Sequence, residues 1–159
     1  LALTVGTNTY ISLADAETYI TSNYLSTSKE SVIWAALSTQ DKEVYLIRSC
    51  KKIDSQRLVG MKIDSSQTLA FPRSIYSLNA RAYIDQSDVP VEVKYAQVEE
   101  ALSLVLGTPK RLELQRQGVK SFRLGDLYEE YQGASSNTLI STTTNQFLRP
   151  YLAGGVPIC

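Results

Sequence analysis

Two adjacent carboxylate pairs, Glu99-Glu100 and Glu129-Glu130, are the first residues in this sequence to weigh for chemistry, because acid/base work needs carboxyls that share a site. Neighbouring residues on a helix or strand point in different directions, so neither pair shares a proton as a catalytic dyad does, and both read as surface solvation. There is no histidine. That removes Ser-His-Asp and Cys-His hydrolysis, histidine-ligated zinc and imidazole acid/base catalysis. No Ser-Lys nucleophile motif stands before a buried helix. Gly60, Gly107, Gly118, Gly125 and Gly133 stand singly, so no phosphate-cradling loop is present. Two cysteines, Cys50 and Cys159, make neither a disulfide framework nor a four-ligand zinc site, and Cys50 reads as a small core residue. The expectation is a protein that is not an enzyme and needs no cofactor or metal.

The basic residues offer a different chemistry. Arg48, Lys51, Lys52, Arg57 and Lys62 fall within fifteen positions, and Lys110, Arg111, Arg116, Lys120 and Arg123 within fourteen, with Tyr45, Tyr128 and Tyr131 nearby. Positive charge beside aromatic rings is what single-stranded nucleic acid requires. Against this, Glu43, Asp54, Glu113 and Asp126 accompany the clusters, and 16 basic and 16 acidic side chains give a formal net charge of zero. Solvated, balanced faces and weak, sequence-independent DNA affinity are therefore expected.

These residues must be held by a scaffold. At 159 residues the chain is read as one domain with an extended arm, long enough to bury a core. No run is long enough to span a bilayer, and Leu1-Ala2-Leu3-Thr4 lacks the regions of a signal peptide, so a soluble protein made inside the cell is expected. The Thr-rich, β-branched residues 1–11 favour an extended lead-in. Ser12-x-x-Asp15, Thr27-x-x-Glu30 and Ser38-x-x-Asp41 each pair a hydroxyl with a carboxylate three positions on, which predicts helices near 12–25, 28–37 and 39–57. The first turns Leu13, Ala16, Ile20 and Tyr24 inward; the third turns Leu46, Ile47, Cys50 and Ile53 inward.

Residues 60–87 lack a sustained period and read as irregular. The most sharply marked helix runs over 88–106, with Asp88 as cap, Pro90 in the first turn, the stripe Val91, Tyr95, Val98, Leu102 and Val105, and a stop at Gly107-Thr108-Pro109. Two alternating runs around Gly125-Asp126 predict a β-hairpin over about 119–131. The fold class is thus mainly α, a small helical bundle with a β-hairpin over residues 1–132, followed by a polar linker and C-terminal arm over 133–159. In that arm Phe147, Leu148, Tyr151 and Leu152 form one helical turn with an apolar edge, which needs a surface to dock on.

The stretches Tyr10-Ile11-Ser12-Leu13-Ala14-Asp15-Ala16-Glu17-Thr18-Tyr19, Trp34-Ala35-Ala36-Leu37-Ser38, Leu69-Ala70-Phe71-Pro72-Arg73, Val89-Pro90-Val91-Glu92-Val93-Lys94-Tyr95-Ala96 and Val119 to Leu127 stand in an order that resembles one known family. It is the head-to-tail connector adaptor (head-completion) family of tailed bacteriophages, part of which is labelled DnaT-like single-stranded DNA-binding. Phe71 stands where that pattern has Trp. The resemblance implies a structural virion protein of the neck, assembled in the bacterial host cytoplasm. It would form a homo-oligomeric ring of twelve copies between the portal protein and the stopper or tail-completion protein. Genomic DNA would pass through its lumen without sequence-specific binding, and no membrane would be involved. Contacts with the portal or a neighbouring subunit would fall on Phe147, Leu148, Arg149, Tyr151, Leu152, Phe122 and Arg123. The alternative is a DnaT-like single-strand binder using Arg48, Lys51, Lys52 and Lys120.

Overall fold

The computed structural model describes residues 2–107, 121–124, 127–130 and 139–153. Within them lie five α-helices, a three-stranded antiparallel sheet and a separate two-stranded hairpin. Helix α1 spans Leu13–Asn23 and α3 spans Thr39–Asp54, each opened as expected by a serine, Ser12 or Ser38, whose hydroxyl accepts the amide three residues on. Helix α2, Lys29–Ala36, opens at Ser28 rather than Thr27: the Ser28 hydroxyl accepts the Ser31 amide. Helix α3 ends three residues before the expected 57, because Ser55 Oγ and Gln56 Nε2 both donate to the Lys52 carbonyl and close its last turn.

Residues 60–87 are irregular only in part, over 63–72 and the 78–81 turn. They form β1 (Met61–Lys62), β2 (Arg73–Ser77) and β3 (Ala82–Asp85), ordered β1-β2-β3, with Ile75 opposite Ile84 and Tyr76 opposite Tyr83. The mirrored Ile-Tyr and Tyr-Ile pairs were the available signal; each strand is too short for a sustained period. At the β1 entrance Gly60 has φ +72, and a Cβ there would stand 2.1 Å from the Ser74 carbonyl oxygen. The expected extended lead-in is instead a turn, in which Gly6 N–H donates to the Thr9 carbonyl and the Asn8 side chain accepts the Thr4 amide.

Helix α4, Val91–Leu106, starts one residue after Pro90 with no side-chain cap, so Asp88 does not serve there, and it ends at Gly107 with φ +85. It packs against α1, α2, α3 and the C-terminal helix α5, Thr142–Leu148. One core cluster gathers Tyr10, Cys50, Ile53, Phe71, Val93, Ala96, Leu139 and Leu148; the other gathers Ile11, Ala16, Ile20, Trp34, Leu46, Val98 and Leu102. The inward face expected for α3 is the one buried, whereas Val91 of the expected α4 stripe is exposed.

Residues 139–152 belong to this core. Ser141 caps α5 within the stretch read as a linker, Thr144 Oγ1 donates to the Ala96 carbonyl, and Leu148 is fully buried. Past a short 3-10 turn at Arg149–Tyr151, Val59 N–H donates to the Tyr151 carbonyl and Ala153 N–H to the Arg57 carbonyl. The stretch has few apolar residues, but α4 supplies the surface that the isolated segment lacks.

Strands β4 (Ser121–Leu124) and β5 (Leu127–Glu130) pair with Leu124 opposite Leu127, so a β-hairpin lies where one was expected. The remaining 119–131 boundaries and the 133–138 linker lie outside the described residues.

Candidate nucleic-acid interface

Helix α3 turns Asp41, Val44, Arg48 and Lys51 to solvent along one stripe, the face opposite Leu46, Ile47, Cys50 and Ile53. The Arg48 guanidinium carbon sits 5.8 Å from the centroid of the Tyr45 ring, so a cation and an aromatic face meet one turn apart. Arg48 and Lys51 are thus brought together at the surface as the sequence suggested. Arg57 is also exposed, and Lys62 on β1 spends its ammonium on the Gln67 and Thr68 carbonyls.

Lys52 is not part of this surface. Its ammonium lies 2.6 Å from the carboxylate of Glu100, which is fully buried on α4 and also accepts the Ile140 and Ser141 amides. Lys120, and with it most of the second basic cluster, lies outside the described residues. Arg123 is on β4 opposite Tyr128, and Phe122 opposite Glu129.

The carboxylate pair Glu99-Glu100 was read as surface solvation, and the structure corrects this. Both are buried, and with Gln97 they tie α4 to other segments. The Gln97 carbonyl accepts the Tyr10 amide while its nitrogen donates to Thr9 Oγ1 and the Leu46 carbonyl. Glu99 accepts the hydroxyls of Tyr19 and Tyr24, each 2.8 Å away, and burial with this contact raises both phenols above their usual range. Glu99 and Glu100 thus face different neighbours, as their adjacency requires, and act as ties. Nothing local in the sequence signals this, since each partner lies far along the chain.

A second tie organises the Leu69-Ala70-Phe71-Pro72-Arg73 stretch. Tyr10 donates a hydrogen bond to Asp54, and both side chains receive amides from this stretch: Ala70 and Phe71 donate to the Tyr10 hydroxyl, and Ala70 also to the other carboxylate oxygen of Asp54. Burial raises the Asp54 carboxyl above its ordinary value, and pushes the Tyr10 phenol and the Cys50 thiol up. Arg73 donates to the carbonyls of Val59, Gly60 and Ala70, so this arginine serves the fold.

The residues expected to meet a portal or neighbouring subunit divide. Leu148 is fully buried in this chain's own core. Phe147 packs its ring on Tyr95 and Tyr151 on Phe71, with centroids 6.2 and 5.4 Å apart, and Leu152 is partly buried. Of the five, Arg149 alone is exposed. Docking through Leu148 would require this chain's own core to open.

The sequence model of a family described as "Putative DnaT-like ssDNA binding protein" matches residues 2–158. Searches of curated proteins and of solved structures give no match. With nearly the whole length covered, from the Tyr10 tie through the α5 segment, the chain belongs to this DnaT-like ssDNA binding protein family.

Proposed function

We propose that this protein binds single-stranded DNA without sequence readout, through the exposed face of α3 carrying Arg48 and Lys51, with the half-buried Tyr45 beside Arg48. The family match over residues 2–158 is the observation that carries this reading. The geometry supports it, because two exposed cations on one helical stripe, with a half-buried ring beside Arg48, suit a phosphate backbone. It also limits the strength: Lys52 and Arg73 are committed internally, and the net charge is zero. Two phosphate contacts give a log–log salt slope of about −1.4, with loss of binding as salt rises. Fluorescence anisotropy of a labelled single strand of roughly 20 nucleotides tests this. The double variant Arg48→Ala/Lys51→Ala should abolish the salt-dependent signal; equal binding by the variant, or no binding at low salt, overturns it.

A second reading is the head-to-tail adaptor ring between portal and stopper or tail-completion protein. The ordered sequence stretches support it, and so does the exposed apolar surface of Tyr76, Leu78, Tyr83 and Ile84, which suits protein contact better than phosphate. Electron microscopy of the chain mixed with a candidate portal tests it. Rings on the portal favour the adaptor, and their absence alongside salt-sensitive DNA binding favours the first reading.

A further inference from the structure

The tie that joins Tyr10, Asp54 and Ala70 also builds a groove. Tyr10 follows the turn over 4–9, Asp54 is the last residue of α3, and Ala70 follows Leu69, so one hydrogen-bonded network fixes three segments against each other. Between these segments lies a groove of about 430 Å³. Its walls carry the exposed Thr7, Lys51, Ser55 and Thr68, and the buried Cys50 and Leu69 form its floor. That volume falls within the range of small-molecule sites, about 300–1,000 Å³. Lys51 belongs both to this wall and to the outer stripe of α3, three residues from Arg48, and neither cation is in an ion pair among the described residues. Asp54 brings a carboxylate to the groove, but its two oxygens are engaged by the Tyr10 hydroxyl and the Ala70 amide. The Thr7 and Thr68 hydroxyls have no partner among the described residues, and each can donate or accept.

We infer that this groove takes one unstacked nucleobase of a single strand whose phosphates lie along Arg48 and Lys51. The inference rests on the DNA reading of the α3 face and adds what cations alone do not supply. Phosphate contacts carry no information about the base, whereas a groove admits a base only when it is free of a duplex stack. A nucleotide joins an anionic phosphate to a flat, largely apolar base, and here a free cation stands at the rim of a groove floored by Leu69 and Cys50. The two threonine hydroxyls can meet the edge of any base, so entry needs no particular sequence. Because the tie holds the groove open in advance, little ordering entropy is lost when a base enters.

Fluorescence anisotropy at low salt compares two labelled strands of equal length, one intact and one abasic throughout, which carry the same phosphates. The parent should bind the intact strand about tenfold more tightly. Thr7→Leu/Thr68→Leu narrows the groove from both walls with aliphatic bulk and adds no ring to stack on. It should bind both strands at the abasic level, with the parent's salt slope and circular dichroism kept, since Arg48 and Lys51 are untouched. Equal, salt-sensitive binding of both strands by the parent overturns the groove and leaves the α3 face standing, as does a folded double variant that keeps the preference. No binding of either strand overturns the α3 reading and this inference with it. The comparison of strands on the parent decides the matter should the double variant fail to fold.

Discussion

Glu100 and Lys52 meet across the α3–α4 interface at 2.6 Å, with the carboxylate fully buried and the lysine side chain 24% exposed. The same carboxylate receives the amides of Ile140 and Ser141, so one side chain on α4 holds both the third helix and the start of the C-terminal segment. A lysine that the sequence offers to DNA is thereby committed to the fold.

Replacing that lysine exposes the commitment. Lys52→Met leaves Glu100 buried without its cation, and should cost about 2 kcal/mol, less than a fully buried pair because Lys52 touches solvent. Urea denaturation measures the loss. Arg48→Ala and Lys51→Ala, on the outer face of the same helix, should stay within about 0.5 kcal/mol of the parent.

The C-terminal segment makes the second test. Leu148 is fully buried against the Phe71 and Val93 cluster, so Leu148→Ala should destabilise the chain by about 3 kcal/mol. Deleting residues 139–159 should lower the melting temperature far more, since it also strips Glu100 of two amide donors. An unchanged melting temperature would restore the reading of this segment as a docking arm.

Gly60 is held at φ +72 with the Ser74 carbonyl 2.1 Å from where a Cβ would stand. Gly60→Ala combines a left-handed backbone with a backbone clash, and should cost more than about 2 kcal/mol. Thermal melting measures it, and a neutral outcome would mean that β1 and β2 can separate freely.

Asp54 gives a pH test with a defined sign. Burial raises its folded pKa above the ordinary 3.8 of the unfolded chain, so the folded state binds the proton more tightly. Its contribution therefore grows as pH falls through the raised value toward 3.8, and is lost as pH rises back through it. Relative to Asp54→Asn, the parent should gain stability between pH 7 and about pH 4. A constant difference in denaturant midpoints across that range would contradict the raised value.

Ser12 and Ser38 cap helices because a hydroxyl reaches an amide three residues away, and Gly107 ends one because it lacks a Cβ; such choices are made within a single turn. The 3.6-residue period likewise marked Leu46, Ile47, Cys50 and Ile53 as the buried face of α3. The fates of Gln97, Glu99, Glu100 and Lys52 are decided at longer range. Their partners lie 88 residues away for Gln97 and Thr9, 80 for Glu99 and Tyr19, and 40 for Glu100 and Ile140. A charged side chain in a sequence looks solvated until the chain folds a donor against it. For the same reason Thr144 and Leu148 looked like part of a linker and arm, since the surface that buries them is the far side of α4. Local sequence determined where α1 and α3 begin and which face of α3 turns inward. Tertiary structure decided which charges remain free to meet another molecule, because only burial sets the cost of leaving a charge unpaired.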